Sequence, residues 1–169
     1  INPLLVDEAG VLALDARIRI ARAAQNGARR LAIRPYPEEL EEPATLGEGL
    51  KVLIRPIRPE DEADHYAFLS KRSPEDIRFR FFGQVGQLPH TQMARLTQID
   101  FDREMAFIAT FTTPLNTQET LGVVRVFTDP DNDKAEFSIV VRSDLKGTGL
   151  GYELLRKMID YCRNRGTQT

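Results

Sequence analysis

The order of patterned segments predicts an α/β (α+β) fold, a mixed and largely antiparallel sheet flanked by helices. Three observations carry this expectation. The β-patterned runs Met105 to Phe111, Leu121 to Phe127 and Ala135 to Val141 follow one another directly, and their spacers hold the proline, asparagine, threonine and glycine of meander turns. Ahead of them, Val52, Ile54 and Ile57 mark a strand that runs into helical segments. Behind them, a glycine-rich stretch opens an amphipathic helix from Leu150 to Cys162.

Taken in chain order, Leu4 to Val6 and Val11 to Leu14 flank Asp7-Glu8-Ala9-Gly10 in a hairpin pattern. Arg17 to Ala24 reads as helical or extended, Asn26-Gly27 as a turn, and Leu31 to Ile33 as a third short apolar run. The segment Pro35 to Pro43 is acidic and holds three prolines, so it can form neither a long helix nor a central strand. Residues 34–49 are therefore expected to be a linker between a first region, 1–33, and a main domain, 50–169. Pro59-Glu60-Asp61-Glu62 suits a first helical turn, with proline's fixed φ and acids at the positive dipole end. Ser73-Pro74-Glu75-Asp76 suits a second, as N-cap and capping-box acid, for a helix carrying Ile77, Phe79, Phe81 and Phe82. A short helix is expected from Thr91 to Thr97.

Composition excludes several function classes. The 169 residues hold 23 basic and 25 acidic side chains, a formal charge of -2, which does not announce a nucleic-acid partner. The arginines from Arg17 to Arg34 lack interleaved aromatic residues, so they make a poor nucleic-acid stripe. The single cysteine, Cys162, allows no disulfide within the chain and suits a reducing cytoplasm. No apolar run approaches the roughly 18 residues of a membrane span. The chain starts inside a strand-like run and stops shortly after Gly166, a helix C-cap pattern, so a fragment truncated at the C-terminus is expected. Asp129-x-Asp131-x-Asp133 imitates a calcium loop, but Lys134 replaces its glycine and Val140 its closing glutamate, which leaves a solvated turn. His65 and His90 are singletons expected on helix surfaces.

The stretch that carries chemistry is Lys146-Gly147-Thr148-Gly149-Leu150-Gly151. A glycine-rich turn between a strand and a helix lets backbone N–H groups approach phosphate oxygens at the positive end of the helix dipole. A phosphorylated cofactor is the ligand this pattern suits. Upstream, alternation places Glu136, Ser138 and Val140 on one face of the last strand, where Glu136 is the only carboxylate.

Two runs together resemble a known superfamily. Ile54-Arg55-Pro56-Ile57-Arg58-Pro59-Glu60-Asp61 looks like the opening strand and helix of the GNAT N-acetyltransferases, and Val141 to Gly151 resembles their acyl-CoA pyrophosphate motif, R/Q-x-x-G-x-G/A. Lys146 stands where that motif has arginine or glutamine, which keeps the charge and loses the planar fork. The resemblance implies acetyl-CoA as cosubstrate, with its pyrophosphate at Lys146, Gly147, Thr148, Gly149, Leu150 and Gly151. It also implies that the backbone of Ile139, Val140 and Val141 binds the pantetheine arm as a neighbouring strand would. A base must deprotonate the acceptor amine, since a lysine in water has a pKa of about 10.4. In the family a glutamate at this strand commonly does so, which makes Glu136 the candidate.

The first region is similar to the C-terminal hairpin of ATP-grasp, ADP-forming acyl-CoA synthetases, where residues matching Asn2 and Asp15 bind magnesium. Such a piece joined to an acetyltransferase resembles the large bacterial protein-lysine acetyltransferases. The implied reaction is acetyl transfer from acetyl-CoA to a lysine amine of a protein, in the cytoplasm. The alternative is a non-catalytic, acyl-CoA-sensing module that regulates a synthetase. In the family a further strand and a tyrosine able to protonate the leaving thiolate follow the motif helix. Without them the chain is expected to be inactive and to self-associate through an exposed sheet edge.

Overall fold

In the computed structural model, residues 3–18, 22, 34–70 and 88–168 are described. The chain divides into two compact units, Ile1–Leu31 and Ala32–Thr169. The expected apolar run Leu31 to Ile33 and the helix with Ser73, Ile77 and Phe79 to Phe82 lie outside the described residues.

In the first unit, β1 (Leu4–Asp7) pairs antiparallel with β2 (Gly10–Ala13). Asp7 sets the turn, its Oδ1 accepting from the amides of Ala9 and Gly10 at 2.8 and 3.2 Å, and Gly10 takes φ +139°. Every residue of both strands is exposed.

The second unit holds a five-stranded sheet in the order β3-β4-β5-β6-β7, formed by Glu42–Thr45, Lys51–Pro56, Glu104–Thr112, Gln118–Thr128 and Ala135–Val141. All four pairings are antiparallel. Helices α1 (Glu62–Ser70), α2 (His90–Thr97) and α3 (Leu150–Arg165) complete the unit among the described residues. The mixed, largely antiparallel sheet flanked by helices is the architecture that the order of segments predicts.

Alternation splits the apolar side chains between two layers. Met105, Phe107, Ala109, Val124 and Val126 face α3, where Leu150, Leu154 and Met158 close a core with Val52 and Ile54. Ala106, Ile108 and Val123 turn the other way and meet Ile57, just after β4, and Phe68 of α1. His65 is also buried, 5.9 Å from the Phe68 ring, and not on the helix surface as expected.

The segment 34–49 is not a linker. It belongs to the second unit, where Glu38–Leu40 forms a 3₁₀ turn and Glu42–Thr45 adds an edge strand to β4. Pro43 is tolerated because an edge strand can forgo one N–H. The acids that made the segment look solvated find partners elsewhere in the sequence. Glu42 accepts from Arg156 Nη2 and Lys157 Nζ of α3, both at 2.8 Å. Glu41 accepts from the Tyr36 hydroxyl at 2.7 Å and Arg58 Nη2 at 2.6 Å. Burial, and then the hydrogen bond to Glu41, push the Tyr36 hydroxyl up to about 12.

Asp61 ties β4 to α1. Its carboxylate accepts from Arg55 Nη1 and Nη2 at 2.8 and 2.6 Å and from the Arg58 amide at 2.7 Å, closing the 3₁₀ turn Pro59–Asp61 that leads into α1. Arg125 plays the same part for α2, donating to Glu104 and to the Leu96 carbonyl.

Hydrogen bonds from Lys157 and then Arg156 hold the Glu42 carboxyl below its usual range. A depressed carboxyl contributes stability that is fully present above the unfolded glutamate's value of about 4.3 and is lost as pH falls through the folded value. Glu42→Gln should therefore lower stability at pH 7 and lower it by less at pH 3. Urea denaturation at the two pH values measures this, and a deficit independent of pH would contradict the clasp.

Candidate functional site

Strand β7 delivers the chain to the glycine turn at its C-terminal end. Arg142 follows directly, its amide donating to the Leu121 carbonyl at 2.9 Å, and a 3₁₀ turn, Ser143–Leu145, leads to Lys146. Gly147 and Gly149 then take φ +86° and +90°. These left-handed residues reverse the chain so that α3 starts at Leu150 and runs back across the sheet.

The turn leaves a set of amides pointing outward. Glu153 makes the first helical bond of α3, donating to the Gly149 carbonyl at 3.1 Å. The amides of Gly149, Leu150, Gly151 and Tyr152 therefore have no acceptor among the described residues. Together with the helix dipole they form a cradle for an anion. Not every residue expected there offers its amide. Lys146 and Thr148 donate back to the Ser143 and Leu145 carbonyls at 3.4 and 3.3 Å, and the Thr148 hydroxyl also donates to Leu145 at 2.8 Å. Leu150 can contribute only its backbone, because its side chain is fully buried. Lys146 is exposed at the mouth of the turn.

The other side of the turn is braced. Gly47 donates to the Thr148 carbonyl at 3.3 Å, so the β3–β4 connection supports the cradle from outside the motif. Arg142 donates to Asp144 at 2.7 Å and to Glu119 at 2.8 Å, which pins the end of β7 to the start of β6.

Register divides the three residues expected along the pantetheine arm. The Arg142 amide points at β6, so two-residue alternation turns the Val140 amide toward β6 as well. The amides of Ile139 and Val141 turn to the outer edge of the sheet. Strand β7 ends the sheet order, so that edge faces no other described strand.

Glu136 is exposed near the start of β7, paired with Phe127. It shares a face with Ser138 and Val140, the side of the sheet on which α1 lies. Phe127, half exposed, stands beside it on β6. Of the pair Asn2 and Asp15, Asp15 is exposed 3.8 Å from Arg17, and Asn2 lies outside the described residues. In the Asp129 turn, the Asp129 carboxylate is occupied by the amides of Asp133 and Lys134 at 2.7 and 3.2 Å.

One residue of the site was missed in the sequence. A Cβ at Gly122 would stand 2.9 Å from the Leu154 side chain and 3.1 Å from the Val140 carbonyl, so this glycine lets α3 press against β6. A lone glycine inside a strand pattern is the signal that could have marked it.

Residues 51–168 match the family described as the acetyltransferase (GNAT) domain. The chain belongs to that family. An acetyltransferase of Pseudomonas aeruginosa, PA5475, is 31% identical over 122 residues, which cover 72% of this chain and 65% of that protein. Among solved structures, the GNAT domain of S. lividans PAT superposes with a TM-score of 0.68 at 27% identity, covering 79% of this chain and 77% of that one. The ribosomal L7/L12 alpha-N-protein acetyltransferase RimL shares the fold at a TM-score of 0.51 and 12% identity, over 79% and 71% of the two chains. GNAT domains use acetyl-CoA as cosubstrate, and a helix-end anion cradle of this kind fits its pyrophosphate.

The two kinds of glycine in the motif should respond differently to substitution. Gly149→Val forces a side chain into the left-handed region, at about 1–2 kcal/mol, and crowds the cradle. Gly151→Ala places its Cβ at an ordinary 3.7 Å from Val141, and Lys146→Ala removes one exposed charge. Calorimetry with CoA on the full-length protein should show a loss of roughly tenfold or more for Gly149→Val and only a few-fold for the other two. Parental affinity in Gly149→Val would contradict the backbone cradle.

Proposed function

We propose that the GNAT domain of this chain transfers an acetyl group from acetyl-CoA to a primary amine, and that the amine is a lysine side chain of a protein. The observation that carries the reading is the run of outward amides at the start of α3, following two left-handed glycines, at the end of the strand that is last in the sheet among the described residues. Gly149, Leu150, Gly151 and Tyr152 hold the pyrophosphate through their backbones, and Lys146 adds positive charge. The outer edge of β7 takes the pantetheine arm as an added strand, through the Ile139 and Val141 backbone.

Acetyl-CoA supplies an activated thioester carbonyl. Glu136 accepts one proton of the incoming ammonium, the neutral nitrogen forms a bond to the acyl carbon as the carbon–sulfur bond breaks, and the second proton that the nitrogen sheds as the amide forms goes to the departing sulfur, so CoA leaves as its thiol. An exposed carboxylate suits this task, because an amine presented by another protein must reach it from solvent. Phe127 beside it offers an apolar surface for the methylenes of the acceptor side chain.

Two features support a lysine-bearing protein as acceptor. The first is the resemblance of residues 1–33 to the end of an ATP-grasp acyl-CoA synthetase, a combination found in the large bacterial protein-lysine acetyltransferases. The second is the likeness to the GNAT domain of S. lividans PAT. A cytosolic setting goes with this reading and with the single, half-buried Cys162. A module that senses acyl-CoA without transferring it would use the same cradle and have no need of Glu136.

Glu136→Gln separates the two. In the full-length protein it should leave CoA affinity within about twofold and lower acetylation of a lysine peptide by roughly 100-fold at neutral pH, with part of the loss recovered at higher pH. Parental turnover in the variant would move the base elsewhere, and no turnover in either protein would favour the sensor.

A further inference from the structure

A pocket lies between α1 and the start of β6. Its volume is about 190 Å³, and its walls are Asp64, Ala67 and Phe68 of α1 with Thr117, Gln118, Glu119 and Thr120. That is below the roughly 300–1,000 Å³ of sites for drug-sized ligands, so it suits one small group with a short apolar stem.

The lining is chemically one-sided. Asp64 is half-buried and has no hydrogen-bond or ion-pair partner among the described residues. Glu119 brings a second carboxylate, already shared with Arg142 across a 2.8 Å bond. Thr120 is 4% exposed, and its hydroxyl, buried in the pocket wall, makes no hydrogen bond. A buried hydroxyl left unsatisfied is destabilising, so an occupant that engages it is favoured. The Gln118 side-chain oxygen accepts from Arg55 Nη2 at 3.1 Å. Ala67 and Phe68 supply the apolar part of the wall.

An ammonium group meets every one of these demands. It carries the charge that the Asp64 carboxylate attracts, it donates to the threonine oxygen, and its first methylenes can lie on Ala67 and Phe68. An anion would be repelled, and a neutral apolar group would leave both Asp64 and Thr120 unpaired.

We propose that this pocket, whose walls include neither Glu136 nor any residue of the glycine turn, binds the ammonium end of a small alkylamine. The same chemistry is offered by a free diamine and by a lysine side chain, and the two are distinguished by testing each.

The experiment is a ¹⁵N-NMR titration of the full-length protein with 1,5-diaminopentane, and separately with Nα-acetyl-lysine methylamide, without acetyl-CoA. Saturable shifts at Thr117 to Thr120 and on α1 around Asp64 are expected with at least one probe. The probe that saturates at the lower concentration identifies the source. Asp64→Asn, isosteric with the parent, should weaken binding roughly tenfold or more, the scale of a lost hydrogen bond to a charged group. Thr120→Val, similar in volume, should weaken it several-fold. Glu136→Gln should leave it unchanged, which separates failure of this site from failure of the catalytic reading. Shifts that do not saturate, or affinity unaltered in both pocket variants while each folds as the parent does, would overturn the proposal.

Discussion

The close contact between α3 and β6 is the constraint on which the rest of the site depends. Leu150 and Leu154 are both fully buried, and they reach β6 where Gly122 leaves room. A Cβ there would turn the Leu154 terminal methyl aside from 2.9 Å and push against the Val140 carbonyl at 3.1 Å, which would have to give by a few tenths of an ångström. Packing of this kind is set by volume at the scale of one methyl group, because protein interiors hold few voids to absorb a shift. The same helix carries its unpaired amides one turn away from Leu154. This core contact thus helps set where the proposed anion cradle stands relative to the outer side of β7, with the left-handed glycines shaping the turn between them.

Around this centre, charged side chains fasten elements that hydrophobic packing alone would leave free to slide. Arg55 with Asp61 fixes the start of α1 against β4, Arg125 fixes α2 against β5 and β6, and Arg142 fixes the end of β7 against Glu119. Buried pairs of this kind are weak evidence for net stability, since desolvation cancels much of the attraction. Removing one partner is another matter, at about 3–5 kcal/mol for a fully buried pair. At 4% exposure, Arg55 falls in that class. The exposed pairs along α3, such as Arg163 with Asp160, carry little weight by comparison.

Much of the fold was legible because its signals are local. The meander strands announce themselves by alternation within seven to eleven residues, and β7 runs over the span that its pattern marks, Ala135–Val141. The motif helix is equally plain, as its apolar stripe and terminal glycine need no partner to be read. The β3 segment was illegible for the opposite reason. Three prolines and a run of acids describe a solvated linker until Arg156 and Lys157, more than a hundred residues later, are brought against Glu42. Within the site, the residue types could be read from sequence, but the choice among amides could not. That Val140 turns inward and Val141 outward is a matter of register, which exists only once β6 is in place. The pocket beside Thr120 likewise joins two segments that no periodicity connects.

The central claim is that backbone amides at the start of α3, and not side-chain charge, hold the phosphates of the cosubstrate. A ¹⁵N-NMR comparison of CoA with pantetheine, which lacks the phosphates, tests it most directly. The account predicts that CoA moves the amide signals of Gly149 to Tyr152 strongly downfield, and that pantetheine perturbs β7 while leaving those four signals in place. Tight binding of CoA with the four amides unshifted would contradict it.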